Sequence, residues 1–184
     1  MPFVQIAAHV STAFLIACAW KLRRVRTYAL SMLVSDLTRL FLMSFEPSML
    51  LYGLDGALIL ATPVILAWGL EVPWKPVAGL GMASLAFALF KMHEGDNEAV
   101  TGIYTASLCV SHAAITVLAI SSRKWRRNLD ASGLVLWVSA ASGFAGTLVV
   151  ITWGEWDLVC VSNIVVNCLL AFLCLFLGRD DDRV

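Results

Sequence analysis

Seven apolar runs follow one another along this chain and leave almost no sequence outside them. They are Phe3 to Trp20, Thr27 to Phe45, Ser48 to Leu70, Pro76 to Phe90, Ala99 to Ile120, Ala131 to Trp153 and Leu158 to Leu177. A helix rises about 1.5 Å per residue, so about 20 residues cross a hydrocarbon layer about 30 Å thick. Most of the runs have that length. They are apolar on all faces and lack the two-residue alternation of a barrel strand, which leaves helices as the form that can satisfy the backbone in lipid. The fourth run is short; it must stand upright, thin the bilayer around it or extend through Trp74.

The expectation is an all-α, polytopic integral membrane protein. A compact bundle of about seven transmembrane helices fills residues 1–178, and a short acidic tail follows at 179–184. Composition argues the same way. With 60% hydrophobic and 14% charged residues, a soluble domain could not cover its apolar surface. Thirteen basic and thirteen acidic residues cancel, so no global field recruits nucleic acid, and the first partner is the lipid bilayer.

The zero sum hides a segregation. Lys21, Arg23, Arg24 and Arg26 divide the first two runs, and Arg123, Lys124, Arg126 and Arg127 divide the fifth from the sixth. Four runs separate the two clusters, an even number, so both fall on one side, expected to be cytoplasmic. The opposite loops carry Glu46, then Glu94, Asp96 and Glu98, then Glu155 and Asp157, against Lys91 alone. The N-terminus is then outside and the C-tail cytoplasmic. The charges follow the first run rather than precede it, and no A-x-A site is present, as expected of a retained reverse signal-anchor. The tail carries no lipidation box. Trp68, Trp74, Trp125, Trp153 and Trp156 lie near run ends and read as an interfacial aromatic belt.

Several chemistries lack their residues. Cys18, Cys109, Cys160, Cys168 and Cys174 are scattered through apolar runs with no C-x-x-C, and read as packing residues. No metal-ligand spacing, H-E-x-x-H, P-loop or nucleophile elbow is present, so neither a metal site nor a catalytic residue is assigned, and no cofactor is implied. Retinal would need a lysine inside a run, whereas Lys21, Lys75, Lys91 and Lys124 all stand at run ends. A bis-histidine haem would need His9 and His112 at one depth, and helix counting separates them by about 10 Å. The stretch Tyr28 to Leu37 resembles the second helix of class A G-protein-coupled receptors over ten residues. The D-R-Y and N-P-x-x-Y boxes of that family are absent, as are the Pro-Gln motifs of SWEET-type transporters, and no family follows.

The small residues Ser139, Ser142, Gly143 and Gly146 stand four apart in two pairs, a pattern for close helix approach within a chain or between chains. Gly79, Gly81, Ala83 and Ser84 do the same more loosely in the fourth run.

The informative residues are polar groups expected inside the bilayer. The second run holds Asp36 about 14 Å and Arg39 about 18 Å from its basic end. Three apart, they share a helix face and can pair. Asp55 in the third run falls near Arg39's level and is a second candidate partner. His112 falls at about Asp36's level, Asn163 and Asn167 share a face of the last run, and His9 joins from the first. Each charge at mid-bilayer costs about 2.5–3.5 kcal/mol, so these groups should turn inward and meet.

Two readings of that group stand side by side. In one, Arg39 is neutralised by an acid and the group fixes helix packing. In the other, it lines a route or pocket, which points to a transporter- or channel-type protein. A non-catalytic subunit of a larger membrane complex and a seven-helix sensor or receptor are the alternatives, and the small-residue faces leave room for a second copy or other membrane subunits.

Overall fold

The computed structural model describes residues 2–44, 48–122 and 130–177. Among these residues all regular structure is helical. Seven helices run in order: α1 (Pro2–Ala19), α2 (Arg23–Ser44), α3 (Met49–Gly69), α4 (Lys75–His93), α5 (Asn97–Ser121), α6 (Ala131–Trp153) and α7 (Trp156–Leu177). The basic stretch Arg123 to Arg127, the residues Glu46 and Pro47, and the acidic tail lie outside the described residues.

Local chemistry sets the helix ends. Ser48, Asp96 and Asp130 each accept a hydrogen bond from a backbone N–H in the first turn of α3, α5 and α6. Gly154 closes α6 in the left-handed region at φ 68°, where a Cβ would be strained. The short fourth run is resolved by extension: α4 starts at Lys75, behind Trp74, and continues through His93.

Five helices, α3 to α7, are long and apolar enough to cross a membrane. The apolar part of α1, Phe3–Ala19, is shorter. α2 is diluted by Arg23, Arg24 and Arg26 at its start and by Asp36 and Arg39 further along. Many large apolar side chains point outward from the bundle, among them Phe3, Val10, Phe87, Val117, Val165 and Phe172. Such a coat is unfavourable in water and natural in lipid.

The helices form a closed ring. Each contacts its neighbours in sequence, and α1 closes the ring against α7. α3 also touches α5 and α6, and α2 touches α6, which leaves α4 outside, behind α3 and α5. Successive helices are antiparallel, so the bundle has two ends. One carries the acidic loops after α4 and α6; the other carries the basic α1–α2 turn.

The two ends are packed differently. At the basic-loop end a single apolar core joins all seven helices through Leu15, Val25, Leu66, Val77, Ile115, Leu136 and Leu170. Packing there is close: a Cβ on Gly69 would stand 2.8 Å from Leu136 Cδ1. Arg24 ties this end together on its surface. Its guanidinium lies 3.0 Å from Glu71 Oε1, after α3, and 3.7 Å from Asp130 Oδ2, before α6. At the acidic-loop end the helices enclose a cavity.

Candidate functional site: a polar vestibule

The cavity has a volume of about 460 Å³ and is lined by α2, α3, α5, α6 and α7. Neither α1 nor α4 contributes to its wall. Along α3 the lining runs from Tyr52 to Thr62, ten residues or about 15 Å of depth. Tyr28, Ser139 and Leu170 form its inner limit, against the apolar core. Arg39, Thr101 and Trp156 lie toward the acidic-loop end, where Thr101 and Trp156 are exposed.

Helical spacing presents the lining. On α5, Thr101, Thr105, Leu108 and His112 recur at intervals of four, three and four and form one stripe. The threonine hydroxyls of this stripe donate to carbonyls one turn back in α5, which satisfies them inside their own helix. On α7, Asn163 and Asn167 line the same wall. Asn167 is buried, and its amide donates to Ser11 Oγ and Thr12 Oγ1 of α1, each at 3.2 Å. At Pro63 the α3 backbone has no N–H, so the carbonyl of Ile59, itself in the lining, loses its helical donor.

The charged residues pair, but not as their spacing first suggests. Arg39 does not pair with Asp36 on its own helix. Its Nε lies 3.5 Å from Asp55 Oδ1 on α3, the second candidate partner. Asp36 instead stands 3.6 Å from His9 Nδ1 on α1. The reason is angular: positions three apart on a helix differ by about 60° around its axis, so the two side chains can face different neighbours. Both contacts are loose. Neither Asp55 Oδ1 nor His9 Nδ1 has a hydrogen-bond partner.

His112 is held differently. Its Nδ1 lies 2.8 Å from the Leu108 carbonyl, so Nδ1 carries the proton and Nε2 is left as an acceptor. The ring rests on Gly143 of α6, where a Cβ would come within 2.7 Å of Nε2 and 2.6 Å of Cδ2. This accounts for part of the small-residue pattern of α6. Ser139, Ser142, Gly143 and Gly146 all line the cavity, and Gly143 is the niche for the imidazole. On α4 the pattern has less to do: a Cβ on Gly81 would meet Leu60 at 3.4 Å, while Gly79 faces open space.

Of the residues singled out by sequence, Asp36, Arg39, Asp55, His112, Asn163 and Asn167 all line one cavity, and His9 stands behind Asp36. Tyr28, Tyr52 and Tyr104 were not anticipated. The α5 stripe could have pointed to Tyr104's helix face, but Tyr28 and Tyr52 carry no pattern of their own. Trp156, read as a belt residue, is exposed as a belt residue would be and also lines the cavity. Cys18 and Cys174 are buried in the core, and the five cysteines are free thiols. Among the described residues no group of three or more His, Cys, Asp or Glu is placed to hold a metal ion.

Fold and site together define a helical bundle of membrane type with a polar cavity inside it. Compared with protein-family models, curated proteins and solved structures, the chain matches none.

Proposed function

We propose that this chain crosses the membrane seven times, with its N-terminus outside, and is a carrier that admits a small polar solute from the outer face. One observation carries the reading: the cavity reaches the acidic-loop end and stops against a tightly packed apolar core. The segregation of Lys and Arg into the opposite loops supports the acidic-loop end as the outer one. α1 and α2 join the five helices that are long and apolar enough to span because each packs into the same ring. A channel would need a continuous path, so a blind vestibule favours alternating access, with the solute held where the charges lie. The same blind end also suits a sensor that binds its ligand and passes nothing.

Two measurements test the proposal. Reporter fusions after Arg26 and Arg127 should read cytoplasmic, and fusions near Asp96 and Trp156 exterior. An exterior signal at either basic loop overturns the topology. In a variant stripped of its native cysteines, Thr105→Cys should react with an impermeant maleimide added outside. Protection of that thiol from outside, together with reaction from inside, would reverse the carrier. Labelling and saturable ligand binding without solute uptake into proteoliposomes would leave the sensor.

A further inference from the structure

Resting on the outward-open reading, the charge arrangement of the vestibule narrows what it can hold. Its lining contains two carboxylates, Asp36 and Asp55, and one guanidinium, Arg39. Arg39 and Asp55 face each other and cancel. Asp36 is the carboxylate in excess. Its neighbour His9 contributes a charge only when protonated, and its Nδ1 makes no hydrogen bond to the acid. An unbalanced carboxylate in a confined vestibule set among apolar side chains favours a ligand that supplies one positive charge.

The remaining lining is suited to the same ligand. His112 Nε2 is an acceptor, as argued from its tautomer, and can receive an N–H. Three tyrosines and Trp156 stand in the lining, and aromatic rings both attract a cation and cover an apolar body. A volume of about 460 Å³ suits an organic molecule rather than a bare metal ion, and no metal-binding cluster stands among the described residues.

We infer that the vestibule binds a small organic monocation, an ammonium group on an apolar or aromatic body, with the ammonium against Asp36. A zwitterion could set its ammonium against Asp36, but its carboxylate would compete with Asp55 for Arg39 and leave the site one negative charge in excess.

The test uses the full chain in lipid nanodiscs at about pH 8, where ordinary imidazoles are neutral. The probes are tryptamine, its alcohol tryptophol, its acid indole-3-acetate and the zwitterion tryptophan, with phenethylamine and tetraethylammonium as further cations. Binding is read by calorimetry and by thermal shift. Tryptamine should bind about tenfold or more tighter than tryptophol, and indole-3-acetate should not bind. Asp36→Asn should erase that preference and Asp36→Glu should keep it, with both variants first checked for an unchanged melt. If Asp36→Asn unfolds, retention of the preference by Asp36→Glu and its loss in Asp36→Ser decide in its place. Equal binding of amine and alcohol, tighter binding of tryptophan than of tryptamine, or no binding of any of the three cations overturns the inference. Labelling of Thr105→Cys from outside distinguishes the failures: an open vestibule without cation preference refutes only the ligand class, whereas a closed one refutes the outward-open reading itself.

Discussion

At the basic-loop end, Leu22, Leu66, Ile115 and Leu136 meet with no accessible surface, while further along the same helices stand apart around Asp36, Asp55 and Asn163. The backbone is equally helical in both halves. What differs is side-chain chemistry. The packed half is lined with Leu, Val and Ala, which interdigitate and exclude solvent. The open half mixes Val, Leu and Ile with Thr, Ser, Asp, Asn and Tyr, whose polar atoms would be costly to bury unpaired. Stability should therefore be concentrated in the packed half.

The largest break in that contrast should come from the packed half. Leu136→Ala removes a side chain with no exposure and should cost about 2–5 kcal/mol in unfolding free energy, read by denaturation in mild detergent. A loss under about 0.5 kcal/mol would mean that the core is not close-packed.

Next comes the contact where the halves join. Gly143→Ala places a methyl against the His112 ring and should destabilise by about 1–3 kcal/mol. Combining it with His112→Ala should restore part of that loss. Strict additivity of the two changes in a melting series would contradict the niche.

Asn167 ties α7 to α1 beside the vestibule. Asn167→Ala gives up two hydrogen bonds and should cost about 1–2 kcal/mol by the same denaturation measurement. In the Ser11→Ala/Thr12→Ala background most of that effect should vanish.

A smaller effect is expected at the ion pair. Arg39 is 40% exposed, so its coupling to Asp55 should be only about 0.2–1 kcal/mol in a double-mutant cycle with Arg39→Leu and Asp55→Leu. Coupling of Arg39 to Asp36 should stay within the additivity error of about 0.3–0.5 kcal/mol. The reverse order would restore the intrahelical pair.

The smallest effect belongs to the vestibule wall. Among the described residues the Thr105 hydroxyl bonds only to the Thr101 carbonyl of its own helix, so Thr105→Ala should leave stability within about 0.5 kcal/mol. A larger loss would show that the wall is structural and not a free lining.

Much of this was legible in the residues. The apolar runs predict all seven helices, with ends that differ by a few positions where capping residues and turn chemistry extend them. α2 starts at Arg23 rather than Thr27 because charged residues continue a helix as readily as apolar ones once it is nucleated. The cost of isolated polar groups in lipid predicts that Asp36, Asp55, His112 and Asn167 turn inward, and they do. The partner of each was not legible. Depth counted along straight helices fixes a level to within a turn, whereas an ion pair depends on rotation about each axis and on side-chain reach. The role of Gly143 was also hidden, because a small residue signals close approach without naming what approaches.

By itself, then, the order of residues determined the helical form, five helices long and apolar enough to cross a membrane, and the set of polar groups that turn inward. Those are one-dimensional consequences of hydropathy, rise per residue and the need to satisfy every backbone group. Only the tertiary structure decided that Arg39 faces Asp55 and Asp36 faces His9, and that the polar groups of five helices surround one cavity above a dry core. Those outcomes depend on how seven helices rotate and pack against one another, and residues far apart in the chain settle that jointly.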